Sequence, residues 1–114
     1  MWQWPLAALL GIVLVIFLST RQTAPLTEPV SDERALTIIQ THCVACHTAT
    51  PSHSGFKSPP AGLILDTRKT VMLAAEQVMT QAVLSTAMPL GNATGMTDSE
   101  RAELGGWLRQ QQRP

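Results

Sequence analysis

Charge is scarce and even-handed in this chain. Eight Lys and Arg oppose eight Asp and Glu among 114 residues, with acids and bases scattered along the length. With no basic stripe and no block of one sign, nucleic acid is not an expected partner. Cysteine is nearly absent too. The only two, Cys43 and Cys46, stand so close that a bond between them closes too short a loop to act as a structural staple. Setting aside an unlike beginning, roughly 85 to 90 residues remain for a folded part, which means one domain. A domain that small buries a modest fraction of its surface and often needs a disulfide, metal or cofactor to complete its core. With a staple excluded, a cofactor held by the cysteines is the natural reading.

Met1 to Leu18 is apolar apart from Gln3, and Leu6 to Leu18 is apolar without interruption. About twenty helical residues span a hydrocarbon core of roughly 30 Å, so Trp2 through Thr20 just reaches across a membrane. Trp2 and Trp4 suit one interface, and Arg21 can snorkel at the other end. The rival is a cleaved signal peptide. However, no Lys or Arg precedes the apolar run, and Ala24 is followed by Pro25, a poor cleavage context. Against an anchor with an exported domain, Arg21 falls on the outer side, contrary to the positive-inside tendency. The expected organisation is a transmembrane anchor over 1–21, a Pro-containing tether over 22–30 and one helical domain over 31–114.

Within that domain stands Cys43-Val44-Ala45-Cys46-His47. The spacing in Cys-x-x-Cys-His is itself chemistry. Two thiols three positions apart meet the two vinyl groups of one haem as thioethers, and the adjacent histidine becomes the proximal iron ligand. Ser31 can cap a helix with Asp32 and Glu33 in its first turn. Ala35, Ile38, Ile39 and His42 follow at helical spacing and lead straight into the motif. A zinc site would draw on both cysteines and two of His42, His47 and His53, but five candidates crowd one short stretch and no second knuckle exists. A thioredoxin-like pair needs a strand–helix–strand context that the pattern lacks.

The sixth ligand of an electron-transfer haem must come from far along the chain. Met88, followed by Pro89 and a turn-rich stretch through Gly95, is the leading candidate. Its soft sulfur favours Fe(II) and raises the potential. Met96 is the rival. Thr97-Asp98-Ser99-Glu100 reads as a capping box, which places Met96 just ahead of the last helix as a packing residue. His53 or an open position completes the alternatives.

Around these ligands, 67–86 reads as one helix, kinked or not, with Val71, Ala74, Ala75, Val78, Ala82 and Val83 on its apolar face and Met72 and Met79 in the core. The last helix runs from Asp98 to about Gln111, with Leu104, Trp107 and Leu108 inward. Gly105 and Gly106 cost helix propensity, and the expected compensation is close approach to the first helix of the domain. Trp107 is expected to pack at that crossing. A carbonyl of Pro59 or Pro60 can accept the His47 Nδ1 proton, with Leu63 and Leu65 packing on the haem; an ordinary Pro-rich loop is the equal alternative. His42 and His53 are read as solvent-facing or propionate contacts. Asn92 is read either as a turn residue or as a partner of the Met88 sulfur or a propionate. Arg68 and Lys69 are read as a solvated face.

Taken together, the pattern resembles the class I c-type cytochromes over about Val30 to Gln112. More narrowly, 87–98 (AMPLGNATGMTD) and Pro59-Pro60-Ala61-Gly62 look like the carboxy-terminal cytochrome domain of the bacterial membrane-bound urate oxidase, or urate hydroxylase. The resemblance implies an all-α class I domain wrapped round one covalent haem c, with iron held by His47 and Met88 and single electrons passing to redox partners. It also implies a urate-oxidising membrane protein nearby. The family's multi-pass membrane domain is missing, so no urate chemistry carries over. The chain is expected to be an electron carrier rather than an enzyme, anchored in a bacterial inner membrane with its haem domain in the periplasm. A cytochrome subunit of a urate-oxidising enzyme and a haem-based sensor are the alternatives.

Overall fold

The computed structural model describes residues 3–19 and 28–113, and among them the chain is all-helical, with no strand. Five α-helices follow in order: α1 Gln3–Ser19, α2 Asp32–His42, α3 Arg68–Leu73, α4 Ala75–Val78 and α5 Asp98–Gln111. Tight 3₁₀ turns occupy Pro60–Gly62 and Leu90–Asn92, and a wider π turn covers Met79–Val83.

α1 is 17 residues long, so at 1.5 Å per residue it spans roughly 25 Å, short of a core of roughly 30 Å. Among the described residues no helix is long and apolar enough to cross a membrane. Trp2, Thr20, Arg21 and most of the expected tether lie outside the described residues. What α1 does show is apolar surface all round. Leu9, Leu10, Ile12, Val13, Leu14 and Val15 are all exposed.

The folded part is built on α2 and α5. Ser31 caps α2, its Oγ accepting the Arg34 N–H at 3.1 Å, and Asp32 and Glu33 sit in the first turn where the helix dipole favours acids. Thr97 and Glu100 close α5 with a reciprocal capping box. The expected inward faces are buried: Ala35, Ile38 and Ile39 from α2, and Leu104, Trp107 and Leu108 from α5. Trp107, fully enclosed, spans the crossing and donates from Nε1 to Asp32 Oδ1 at 2.8 Å. Gln110 exchanges hydrogen bonds with both backbone groups of Val30, which ties the start of the domain to its end.

The stretch expected as one helix over 67–86 is broken twice. Thr67 caps α3 with its own capping box, and α3 ends at Leu73, before Ala74, whose backbone (φ −110°, ψ 17°) has left helical values. Beyond α4 the chain widens, so that the Leu84 N–H reaches back five residues to the Met79 carbonyl at 2.8 Å. Its inward residues are nonetheless Val71, Ala74, Val78 and Ala82, while Ala75, Val83, Met72 and Met79 pack partly buried against the core. The close approach at Gly105 is to this wide turn and not to α2. A Cβ there would stand 2.6 Å from Val83 Cγ1, so the missing side chain admits the stiff valine.

Candidate functional site

α2 ends at His42, and the helical ladder carries on into the motif. The Cys43 N–H donates to Ile39 O at 2.8 Å, and the His47 N–H donates to Cys43 O at 2.9 Å. The turn that follows α2 therefore carries Cys43, Cys46 and His47 together. Neither cysteine is in a disulfide, and both are half-buried. Burial, with Cys46 nearby, pushes the Cys43 thiol up to about 11, so it is a thiol at neutral pH. Residues after the motif fold back on it, the Ser52 and His53 N–H groups both donating to Ala45 O.

His47 is buried and held from two sides. Its Nδ1 lies 3.1 Å from Leu63 O, and its own carbonyl accepts the Leu65 N–H at 2.8 Å. A carbonyl can only accept, so Nδ1 carries the proton and Nε2 of the neutral ring keeps a bare lone pair. The acceptor is Leu63 and not Pro59 or Pro60. The reason lies in the turn, which engages Pro59 O with the Gly62 N–H and Pro60 O with the Leu63 N–H. Ala61 and Gly62 take positive φ there, and this delivers the Leu63 carbonyl to the ring. Leu65 enters the core, and Leu63 packs against it partly buried.

Met88 is half-buried and its backbone is clamped on both sides. Its N–H donates to Gln81 O at 2.9 Å, and its carbonyl accepts Arg101 Nη1 at 2.7 Å. The same Nη1 donates to Ala82 O at 2.7 Å, capping the end of the wide turn. Arg101 is buried, and sequence reasoning overlooked it. The available signal was its position three before Leu104 and seven before Leu108, on the apolar stripe of α5.

Met96 is 4 % exposed and belongs to the core, one residue before the Thr97 cap. Asn92 fastens it there, its Oδ1 accepting the Met96 N–H and its Nδ2 donating to Met96 O. Asn92 is thus a turn residue and not a partner of the Met88 sulfur. His42 differs from expectation in being buried, with Nδ1 2.7 Å from Thr94 Oγ1 and Nε2 3.0 Å from Glu100 Oε2. His53 is exposed and accepts the Gly55 N–H in a local turn. Arg68 is engaged with Asp32 and Gln111 at the α2–α5 crossing. Among the described residues no group of three or more His, Cys, Asp or Glu is arranged to hold a metal ion, so the zinc alternative gains no support.

The donor set fits a covalently held haem. Two free thiols precede a histidine whose Nε2 is free to coordinate and whose ring is held by a carbonyl, the usual arrangement behind a metal ligand. Cys43, Val44, Leu63 and Met88 pack against the core and stay partly open. Comparison of the chain with protein-family models, curated proteins and solved structures finds no match in any of the three. The residues themselves carry the functional reading.

Proposed function

We propose that the chain is a monohaem c-type cytochrome of the class I kind that carries single electrons. Cys43 and Cys46 would hold the haem as thioethers, with His47 Nε2 and Met88 sulfur as the iron ligands. The observation that carries this reading is the buried His47 ring, with Nδ1 committed to Leu63 O and two free thiols on the same turn. When bound, the haem supplies one-electron Fe(III)/Fe(II) chemistry. The residues around it supply rigidity. The Leu63 carbonyl holds the ring in one tautomer, and Arg101 with Gln81 holds the Met88 backbone, so neither ligand arm needs to move when the charge changes. Fixed ligands keep reorganisation small, which suits a carrier rather than a catalyst that must open a coordination site.

In this reading α1 belongs to the anchor. A helix apolar on every side is stable beside lipid or another apolar surface, and holding the carrier there raises its local concentration near membrane partners. The urate-oxidising membrane protein implied by the 87–98 resemblance is one donor to test.

The test is a potentiometric titration of the full chain matured with haem. The reading predicts a reversible wave with a one-electron slope. A two-electron wave from the Cys43–Cys46 thiols, with no haem absorbance, would replace it with a dithiol function.

A further inference from the structure

His42 is the last residue of α2, one position before Cys43, yet its ring is not part of the motif. It is buried with both nitrogens engaged. Nε2 lies 3.0 Å from Glu100 Oε2 in the first turn of α5, and Nδ1 lies 2.7 Å from Thr94 Oγ1 in the loop that follows Met88. Glu100 is held ionised below the usual carboxylate range, first by the Thr97 backbone N–H and then by His42 itself. An ionised carboxylate can only accept, so Nε2 carries the proton. In the neutral ring Nδ1 is then the acceptor, and the Thr94 hydroxyl donates to it. The donor directions run one way from the loop through the imidazole to α5.

This places a single side chain between the two arms of the site. The loop over 89–95 is held at its start by Arg101 on the Met88 carbonyl and at its far end by Thr94 on His42. Thr94 itself is exposed, and its bond to His42 joins the two Asn92–Met96 hydrogen bonds in holding that end of the loop. We propose that His42 is a positioning residue for Met88: through Thr94 it latches the Met88 loop to the end of the haem-bearing helix and thereby sets how firmly the sulfur stays on the iron. The inference rests on the haem reading above.

The experiment uses the full chain with covalent haem in its ferric form and titrates free imidazole against Met88. Displacement is followed by loss of the red-region charge-transfer band that methionine ligation gives. Thr94→Val keeps the shape and removes the hydroxyl donor, and it is expected to bind imidazole about fivefold to tenfold more tightly than the parent, the size of one lost hydrogen bond. Thr94→Ser restores the donor and should titrate like the parent. His42→Gln, whose amide can also donate and accept, should fall between them if it folds. Urea midpoints of Thr94→Val and Thr94→Ser should differ far less than their imidazole affinities, which separates a latch from general destabilisation. Equal imidazole affinity in Thr94→Val and the parent, with the band present in both, overturns the latch and leaves the haem reading standing. A parent without covalent haem, or whose band survives Met88→Ala, overturns both.

Discussion

From Ser31 to His47 the backbone is shaped by bonds that span three or four residues: Ser31 to Arg34, Ile39 to Cys43, Cys43 to His47. From Met79 to Met96 the decisive bonds come from far away. Arg101 reaches back 19 positions to Ala82 and 13 to Met88, and His42 reaches forward 52 to Thr94. The first arm is written by local rules of capping and helical spacing. The second is a wide turn and a loop that have local bonds of their own, and α5 and α2 fasten them to the rest of the fold. The proposed thiol-attached haem would be anchored to the locally determined arm, while the exchangeable ligand would sit on the arm whose placement depends on the rest of the fold.

The sharpest way to break that contrast is Arg101→Leu. It leaves the Ala82 and Met88 carbonyls without their donor, at a cost of about 2–4 kcal/mol in urea unfolding. Hydrogen exchange should rise around 79–96 and stay unchanged from Ile38 to His47. Uniform loss of protection in both arms would mean they are not built differently. A smaller effect is expected from Gly105→Ala. The added Cβ meets Val83 Cγ1, a strain of about 1–3 kcal/mol that the better helix propensity of alanine offsets by about 1 kcal/mol. Urea unfolding should show a net loss of about 1 kcal/mol, recovered in large part by adding Val83→Ala. If Val83→Ala gives no recovery, the close approach at this position is misassigned.

How much of this was legible beforehand divides along the same line. The caps at Ser31 and Thr97, the buried stripes of α2 and α5, the Trp107 crossing and the burial of Met96 all follow from spacing of a few residues. The breaks at Ala74 and across Met79–Val83 do not, because no Gly or Pro marks them. The acceptor for His47 moved from Pro59 or Pro60 to Leu63 because the turn itself uses both proline carbonyls, a detail of hydrogen-bond accounting that composition does not reveal. His42 and Arg101 each stand on an apolar stripe. A polar residue on such a stripe signals a buried bond, but its partner is set by tertiary packing.

Ser31→Ala removes a local cap and should cost about 1 kcal/mol, with added fraying confined to the start of α2. Changes in exchange near Met88 would show that the arms are coupled more tightly than described. The Glu100 carboxyl lies below its usual range because the Thr97 N–H and His42 favour its ionised form. Its contribution is therefore present above the ordinary carboxylate range and is lost as pH falls through the depressed folded value. Glu100→Gln should be slightly less stable than the parent at neutral pH, and the gap should close in acid. A gap that persists in acid would mean that the charge of Glu100 is not what holds this corner.

Cys43, Cys46 and His47 are proposed to hold a haem, and a pyridine haemochrome spectrum tests this most directly. Protein expressed with a c-type haem maturation system and stripped with acidified acetone is predicted to keep its haem and to give the spectrum of two saturated thioether links. Loss of all haem to the acetone, or zinc in its place, would contradict the account.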